Sequence, residues 1–108
     1  MKIAILQIPL FWEDPKTNRE YIEQKINTME VGTDLIILPE MFTTGFTTHP
    51  ERVAETMQGE TVLWLQSLAK TKNCAITGSL VIAEEGNFFN RMVFVFPKEL
   101  YHLFQYIP

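Results

Sequence analysis

Glu40 closes the run Leu35-Ile-Ile-Leu-Pro39 and opens the segment Met41-Phe-Thr-Thr-Gly-Phe46. A carboxylate delivered at the end of an aliphatic strand stands where open α/β sheets place their reactive groups, outside the carboxyl ends of the strands. Burial against those aliphatics would disfavour its charged form, raise its pKa and suit it to act as a general base. The same position also suits a carboxylate that caps loop amides or lies in solvent. Cys74 is the single thiol. Thiols are the readiest protein nucleophiles, but this one sits between a helical pattern and a strand pattern, where it reads better as a small buried hydrophobe. His49 and His102 are widely separated and poorly accompanied, so no metal site is expected. The glycines form neither a dinucleotide fingerprint nor a phosphate loop, and no cofactor is expected.

The elements that would carry these residues follow from periodicity. Lys2 to Ile8 is apolar on both alternating faces and predicts a strand ended by Pro9. Asp14 followed by Pro15 predicts a helix start. Ile22, Ile26 and Met29 share its apolar face, and Gly32 predicts its stop. Asp34 to Pro39 predicts a second buried strand. Strand, helix, strand with short links predicts parallel neighbours. Residues 41–58 have no period and predict a long loop with a helical turn near Pro50 to Thr56. Gly59 to Asn73 predicts a second amphipathic helix, with Lys70 and Lys72 in its last turn. The apolar runs 74–83 and 88–97 flank Glu84-Glu-Gly-Asn87 and predict a hairpin. The tail Lys98 to Pro108 is rich in aromatic residues and shows no strand or helix period.

Composition narrows the class. The 108 residues are 46% hydrophobic and 20% charged, with a formal net charge of −4. That suits one soluble globular domain and excludes disorder by composition. No basic run is present, so no nucleic-acid partner is expected. No stretch approaches the roughly 20 apolar residues of a membrane span, and no membrane partner is expected. With one cysteine there is no internal disulfide, which makes the cytoplasm the expected compartment.

Four stretches in order resemble the nitrilase superfamily of carbon–nitrogen hydrolases. They are Lys2 to Asn18, Asp34 to Thr47 with the Pro-Glu-Met-Phe-Thr-Thr-Gly-Phe core, Gly59 to Lys70, and Ala75 to Pro97 with Asn90-Arg91 in its second strand. The core segment and Ile76-Thr-Gly-Ser-Leu-Val-Ile82 look most like the ω-amidase branch. The resemblance implies an α/β chain forming the N-terminal half of a four-layer α-β-β-α sandwich, with residues 1–97 as the family part and 98–108 as a divergent tail. It implies hydrolysis of small ω-amides to acid and ammonia by a Glu-Lys-Cys triad. Glu40 would be the general base, taking the thiol proton and later activating water. A lysine would stabilise the oxyanion of a thioester-forming step. Phe46 and Thr44 would shape the substrate pocket. A small-molecule amide would be the substrate, without metal or cofactor, in a homo-oligomer.

The tail departs from the family pattern, which usually carries Lys-Arg-His-Leu-Phe after the hairpin. Here His102-Leu-Phe104 follows Leu100-Tyr101, and Lys98 lies four residues before His102 rather than two. The role of the catalytic lysine does not transfer to Lys98, nor that of the nucleophile to Cys74. The expectation is therefore an N-terminal part that holds Glu40 alone and is inactive by itself. Its alternatives are a subunit completed by another chain and a non-catalytic interaction protein. An uncovered sheet face is expected in each case.

Overall fold

The computed structural model describes the backbone of residues 1–106 and the side chains of residues 1–98. Along the chain run β1 (Ile3–Ile5), α1 (Pro15–Asn27), β2 (Leu35–Ile37), a single 3-10 turn (Pro50–Arg52), α2 (Glu60–Lys72), β3 (Ala75–Glu84), β4 (Asn87–Phe96) and β5 (Glu99–Tyr106). The five strands form one sheet in the order β1-β2-β3-β4-β5. The first three are parallel, with Ile5 beside Ile37 and Ile37 beside Thr77. The last three are antiparallel.

The helix starts are built as their sequences imply. Asp14 caps α1 by accepting the Thr17 N–H at 3.3 Å, with Pro15 in the first turn. Glu55 caps α2 from outside, accepting the Thr61 N–H at 2.9 Å and the Thr61 hydroxyl at 2.5 Å. Asn73 ends α2 in the left-handed region, at φ 52°. The end of α1 differs from expectation. It stops at Asn27, and the Thr28 hydroxyl donates back to the Lys25 carbonyl at 2.7 Å. A β-branched residue whose hydroxyl takes a helix carbonyl ends the helix before Gly32 is reached. Met29, expected inside α1, lies beyond it and still packs on the core.

Both helices cover one face of the sheet. Ile22 and Ile26 of α1 and Leu65, Leu68 and Ala69 of α2 are buried against Ile36, Ile76, Leu80, Ile82, Val93 and Val95. Each such aliphatic contributes about 1.5–3 kcal/mol of burial. The two helices are joined by Arg19, which donates to the Thr61 hydroxyl at 2.9 Å and pairs with Glu60 at 3.0 Å, and by Trp64 Nε1, which donates to Glu23 at 2.7 Å. The opposite face is open at β1, where Ile3 is 50% and Ile5 64% exposed, and closed at β3, where Thr77, Ser79 and Val81 are buried. Phe94 and Phe96 stack on that face, 6.3 Å between ring centroids. Within these 108 residues β1 is covered on one side only, and Ile3 and Ile5 stand on the uncovered face.

The aromatic tail, aperiodic as a sequence, pairs as β5. His102 stands opposite Phe94, Gln105 opposite Arg91 and Tyr106 opposite Asn90, with an irregularity between Phe94 and Phe96. Strand pairing demands backbone donors and acceptors rather than side-chain alternation, which is why this element was not legible as a period.

Candidate active site

The site is built where β2 stops. Leu38 N–H donates to the Thr77 carbonyl at 2.8 Å, and Phe42 N–H donates to the Ser79 carbonyl at 3.1 Å. The two acceptors are two residues apart on β3, whereas the two donors are four apart. Pro39, Glu40 and Met41 must therefore loop outward. Pro39 has no N–H to leave unpaired. Met41 absorbs the bend at φ 53°, a left-handed conformation uncommon outside glycine. Its buried N–H donates to the Ser79 hydroxyl at 2.9 Å. Ser79 thus holds the loop twice, by side chain and by carbonyl.

Gly78 lets the loop lie flat on β3. A Cβ at this position would come within 2.8 Å of Phe42 Cδ1 and 3.0 Å of Leu38 Cβ. With glycine there, the fully buried Phe42 ring fills the space and reaches Trp64, 6.3 Å between centroids. The rest of the long loop is fastened from the other side. Asn18, fully buried on α1, accepts the Phe11 N–H at 2.8 Å and donates to the Phe11 and Thr43 carbonyls, both at 2.7 Å. Glu13 N–H donates to the Thr44 carbonyl at 2.9 Å, and the Thr47 hydroxyl donates to the Glu13 carboxylate at 2.5 Å.

Glu40 itself is exposed. The burial expected from the preceding aliphatics is absent, because those side chains belong to the strand and the loop carries the carboxylate past them. Its Oε2 accepts a hydrogen bond from Asn90 Nδ2 on β4 at 3.0 Å. A carboxylate can only accept here, so it fixes the Asn90 amide with the nitrogen toward Glu40. Asn90 Oδ1 is buried and has no partner among the described residues.

Beside this pair lies a cleft of about 180 Å³ lined by Met41, Phe46, Thr47, Pro50, Val81, Phe88, Phe89 and Asn90. Phe46 stands on its rim, 67% exposed. Thr44 is fully buried, and its hydroxyl donates to the Gly45 carbonyl at 2.7 Å, so its contact is with the loop's own backbone.

The other reactive residues lie elsewhere. Cys74 precedes β3, next to the start of β2, at the opposite end of the parallel strands from Glu40. It is buried, and burial pushes its thiol up, with Lys72 acting weakly in the other direction. His49 is exposed beside Glu51, at 3.4 Å. The side chain of His102 lies outside the described ones. Among the described residues no three His, Cys, Asp or Glu side chains converge to hold a metal ion, and no helix is long and apolar enough to cross a membrane.

Ser79 and Asn18 were not singled out from the sequence, and Asn90 entered only with Arg91 as part of the family resemblance. Each carries the same signal: a polar residue inside an apolar pattern. Asn18 shares the i, i+4, i+8 stripe with Ile22 and Ile26. Ser79 and Asn90 interrupt strands otherwise rich in apolar residues. Buried polar groups require partners, and here the partners are the loop that carries Glu40 and its supports.

The family model for carbon–nitrogen hydrolases matches residues 2–105. The chain belongs to that family. The carbon–nitrogen hydrolase match extends into β5, as far as residue 105, and so includes most of the aromatic tail. The chain is 34% identical over 105 residues to the omega-amidase YafV of Escherichia coli, covering 96% of this chain and 40% of that protein. It is 28% identical over 100 residues to an (R)-stereoselective amidase of a Pseudomonas species. Among solved structures, a CN-hydrolase superfamily protein of Xanthomonas campestris, described with an arsenic adduct in its active site, superposes with a TM-score of 0.90 at 35% identity. That match covers 95% of this chain and 39% of the other. A nitrilase-superfamily member of Saccharomyces cerevisiae shares the fold, with a TM-score of 0.81 at 20% identity, covering 44% of that chain. The carbon–nitrogen hydrolase fold is therefore present in part: this chain spans about 40% of the length of the relatives it matches.

Proposed function

We propose that the chain carries the general-base part of an ω-amidase-type active site, with Glu40 as the base for hydrolysis of a small amide. The observation that carries this reading is the loop itself. Glu40 is thrust from the end of β2 by a left-handed Met41, held by Ser79 and Asn90, in a chain 34% identical to an omega-amidase. Backbone strain held in place by surrounding structure is a mark of a functional segment. In this reading Glu40 takes the proton from a thiol, the thiolate forms a thioester with loss of ammonia, and Glu40 then activates water. Phe46 borders the space for the acyl part, and Thr44 holds the loop that presents it. Cys74 does not serve as the thiol, since it lies at the other end of the sheet. The nucleophile and the oxyanion-stabilising lysine then come from polypeptide beyond these 108 residues, and the completed enzyme is a homo-oligomer.

The test is complementation. The 108-residue chain is co-expressed with the segment of the E. coli omega-amidase that lies beyond the matched region, and ammonia release from small primary amides is measured. Release that Glu40→Gln abolishes supports the reading. Release untouched by Glu40→Gln, or release by the 108-residue chain alone, overturns it.

A further inference from the structure

The loop that follows Glu40 is gripped along one edge by the segment that precedes α1. Asn18 ties the Phe11 N–H and carbonyl to the Thr43 carbonyl. The Trp12 ring lies against Gly45, where a Cβ would come within 3.3 Å of Trp12 Cε3. Glu13 then grips the chain on both sides of Phe46. Its N–H donates to the Thr44 carbonyl at 2.9 Å, and its Oε2 accepts the Thr47 hydroxyl at 2.5 Å. That hydroxyl in turn accepts the His49 N–H at 2.9 Å, which carries the restraint further along the loop. Arg52, in the 3-10 turn, stands 3.7 Å from the other oxygen of the Glu13 carboxylate. The Glu13 side chain is only 14% exposed, so it is held between these partners rather than free in solvent.

Glu13 reaches them from the left-handed region, at φ 48°. Among the described residues four that are not glycine have positive φ. Asn73 ends α2, and Glu85 stands with Gly86 in the two-residue hairpin turn, both ordinary places for this conformation. Glu13 and Met41 are the other two, and they bend the two segments that meet at this loop. Glycine would fill position 13 with less strain. A glutamate there has a use for its side chain, and the use in view is Thr47. The grip passes over the Phe46 ring, which is exposed at the rim of the cleft it shares with Met41 and Asn90. An aromatic ring whose neighbours on both sides are bonded is presented in one place.

We infer that Glu13 is a positioning residue for substrate selection: through Thr44 and Thr47 it fixes Phe46 on the rim of the site, and it acts on the substrate only through that ring. This rests on the amidase reading of Glu40 and adds to it the residue that sets the rim.

The first measurement is backbone ¹⁵N relaxation of the 108-residue chain. Order parameters of Gly45, Phe46 and Thr47 should be about 0.85 in the parent and in Glu13→Gln, which keeps an acceptor for the Thr47 hydroxyl, and should fall below about 0.6 in Glu13→Gly. Those of α1 and α2 should not change. Equal order at 45–47 in all three chains would overturn the positioning role, as would a loss spread over both helices. The second measurement uses the complemented enzyme and a small primary amide. Glu13→Gly should raise KM about fivefold and keep kcat, as loss of uniform binding does. Phe46→Ala should do the same, and the double variant should be no worse than Phe46→Ala alone. Effects that multiply in the double variant, or a fall in kcat at unchanged KM, would overturn action through Phe46. Ammonia release that survives Glu40→Gln would sink the amidase reading instead, and the relaxation result would still decide whether Glu13 holds the loop.

Discussion

The two ends of the parallel strands hold the two residues with the most reactive side chains, and they are built in opposite ways. At one end Cys74 lies between Asn73, which ends α2, and the start of β3, buried near Ile26 and Ile36, its thiol pushed up by loss of solvent. At the other end Glu40 stands exposed on a loop with left-handed Met41, and four groups from two strands (Ser79 hydroxyl and carbonyl and Thr77 carbonyl on β3, Asn90 amide on β4) hold that loop in place. The difference separates packing from presentation. Cys74 is made inert by its surroundings, whereas the residue proposed as the base is exposed and the rigidity is placed beneath it.

The largest expected effect breaks the support beneath Glu40. Phe42→Ala removes a fully buried ring that fills the space over Gly78 and touches Trp64, and should cost about 3–5 kcal/mol in urea unfolding. A cost under about 1 kcal/mol would mean that the loop is not anchored through this ring. Next comes Ser79→Ala, which leaves the buried Met41 N–H without its acceptor and should cost about 1–3 kcal/mol. A cost under about 0.5 kcal/mol would show that this hydrogen bond does not hold the loop.

How much of this contrast was legible in the sequence depends on whether the cause was local. The position of Glu40 after an aliphatic run, the Asp14-Pro15 start and the Glu85-Gly86 turn, with φ 50° and 78°, are local, and the fold has them where the sequence places them. The exposure of Glu40 was not legible, since it depends on what covers the sheet's open face. Nor was β5, which is specified by the free edge of β4 more than by its own residues. The end of α1 turned on one hydroxyl, that of Thr28, against the more familiar glycine signal at Gly32. Ser79 and Asn90 were visible as polar interruptions, but their partners lie 38 and 50 residues away.

At the Cys74 end the prediction concerns pH. The folded state holds the thiol protonated beyond the ordinary value of 9.0, because burial penalises the thiolate. The folded chain then binds more protons than the unfolded one just above that pH, so stability falls as pH rises. The contribution is complete below pH 9 and is lost as pH climbs through the raised value. Cys74→Ala should cost on the order of 1 kcal/mol near neutral pH and flatten the decline above pH 9. An unchanged decline in the variant would show that other groups cause it. Iodoacetamide should label native Cys74 far more slowly than the urea-unfolded chain, since the thiol is both buried and protonated.

The smallest expected effect is the most telling for the comparison. Glu40→Gln keeps an acceptor oxygen for the Asn90 amide and changes an exposed side chain that fills no part of the core. Stability should stay within about 0.5 kcal/mol of the parent, while the complemented enzyme loses ammonia release altogether. Cys74→Ala should show the reverse, a measurable loss of stability with ammonia release retained in the same assay. If Glu40→Gln instead destabilised the fold by more than about 1 kcal/mol, the carboxylate would belong with Cys74 among the structural groups. The strained loop would then need a different explanation. The pair of substitutions therefore tests one idea from both ends: that the thiol at the start of β3 serves packing, while the carboxylate on the loop at the far end contributes nothing to stability.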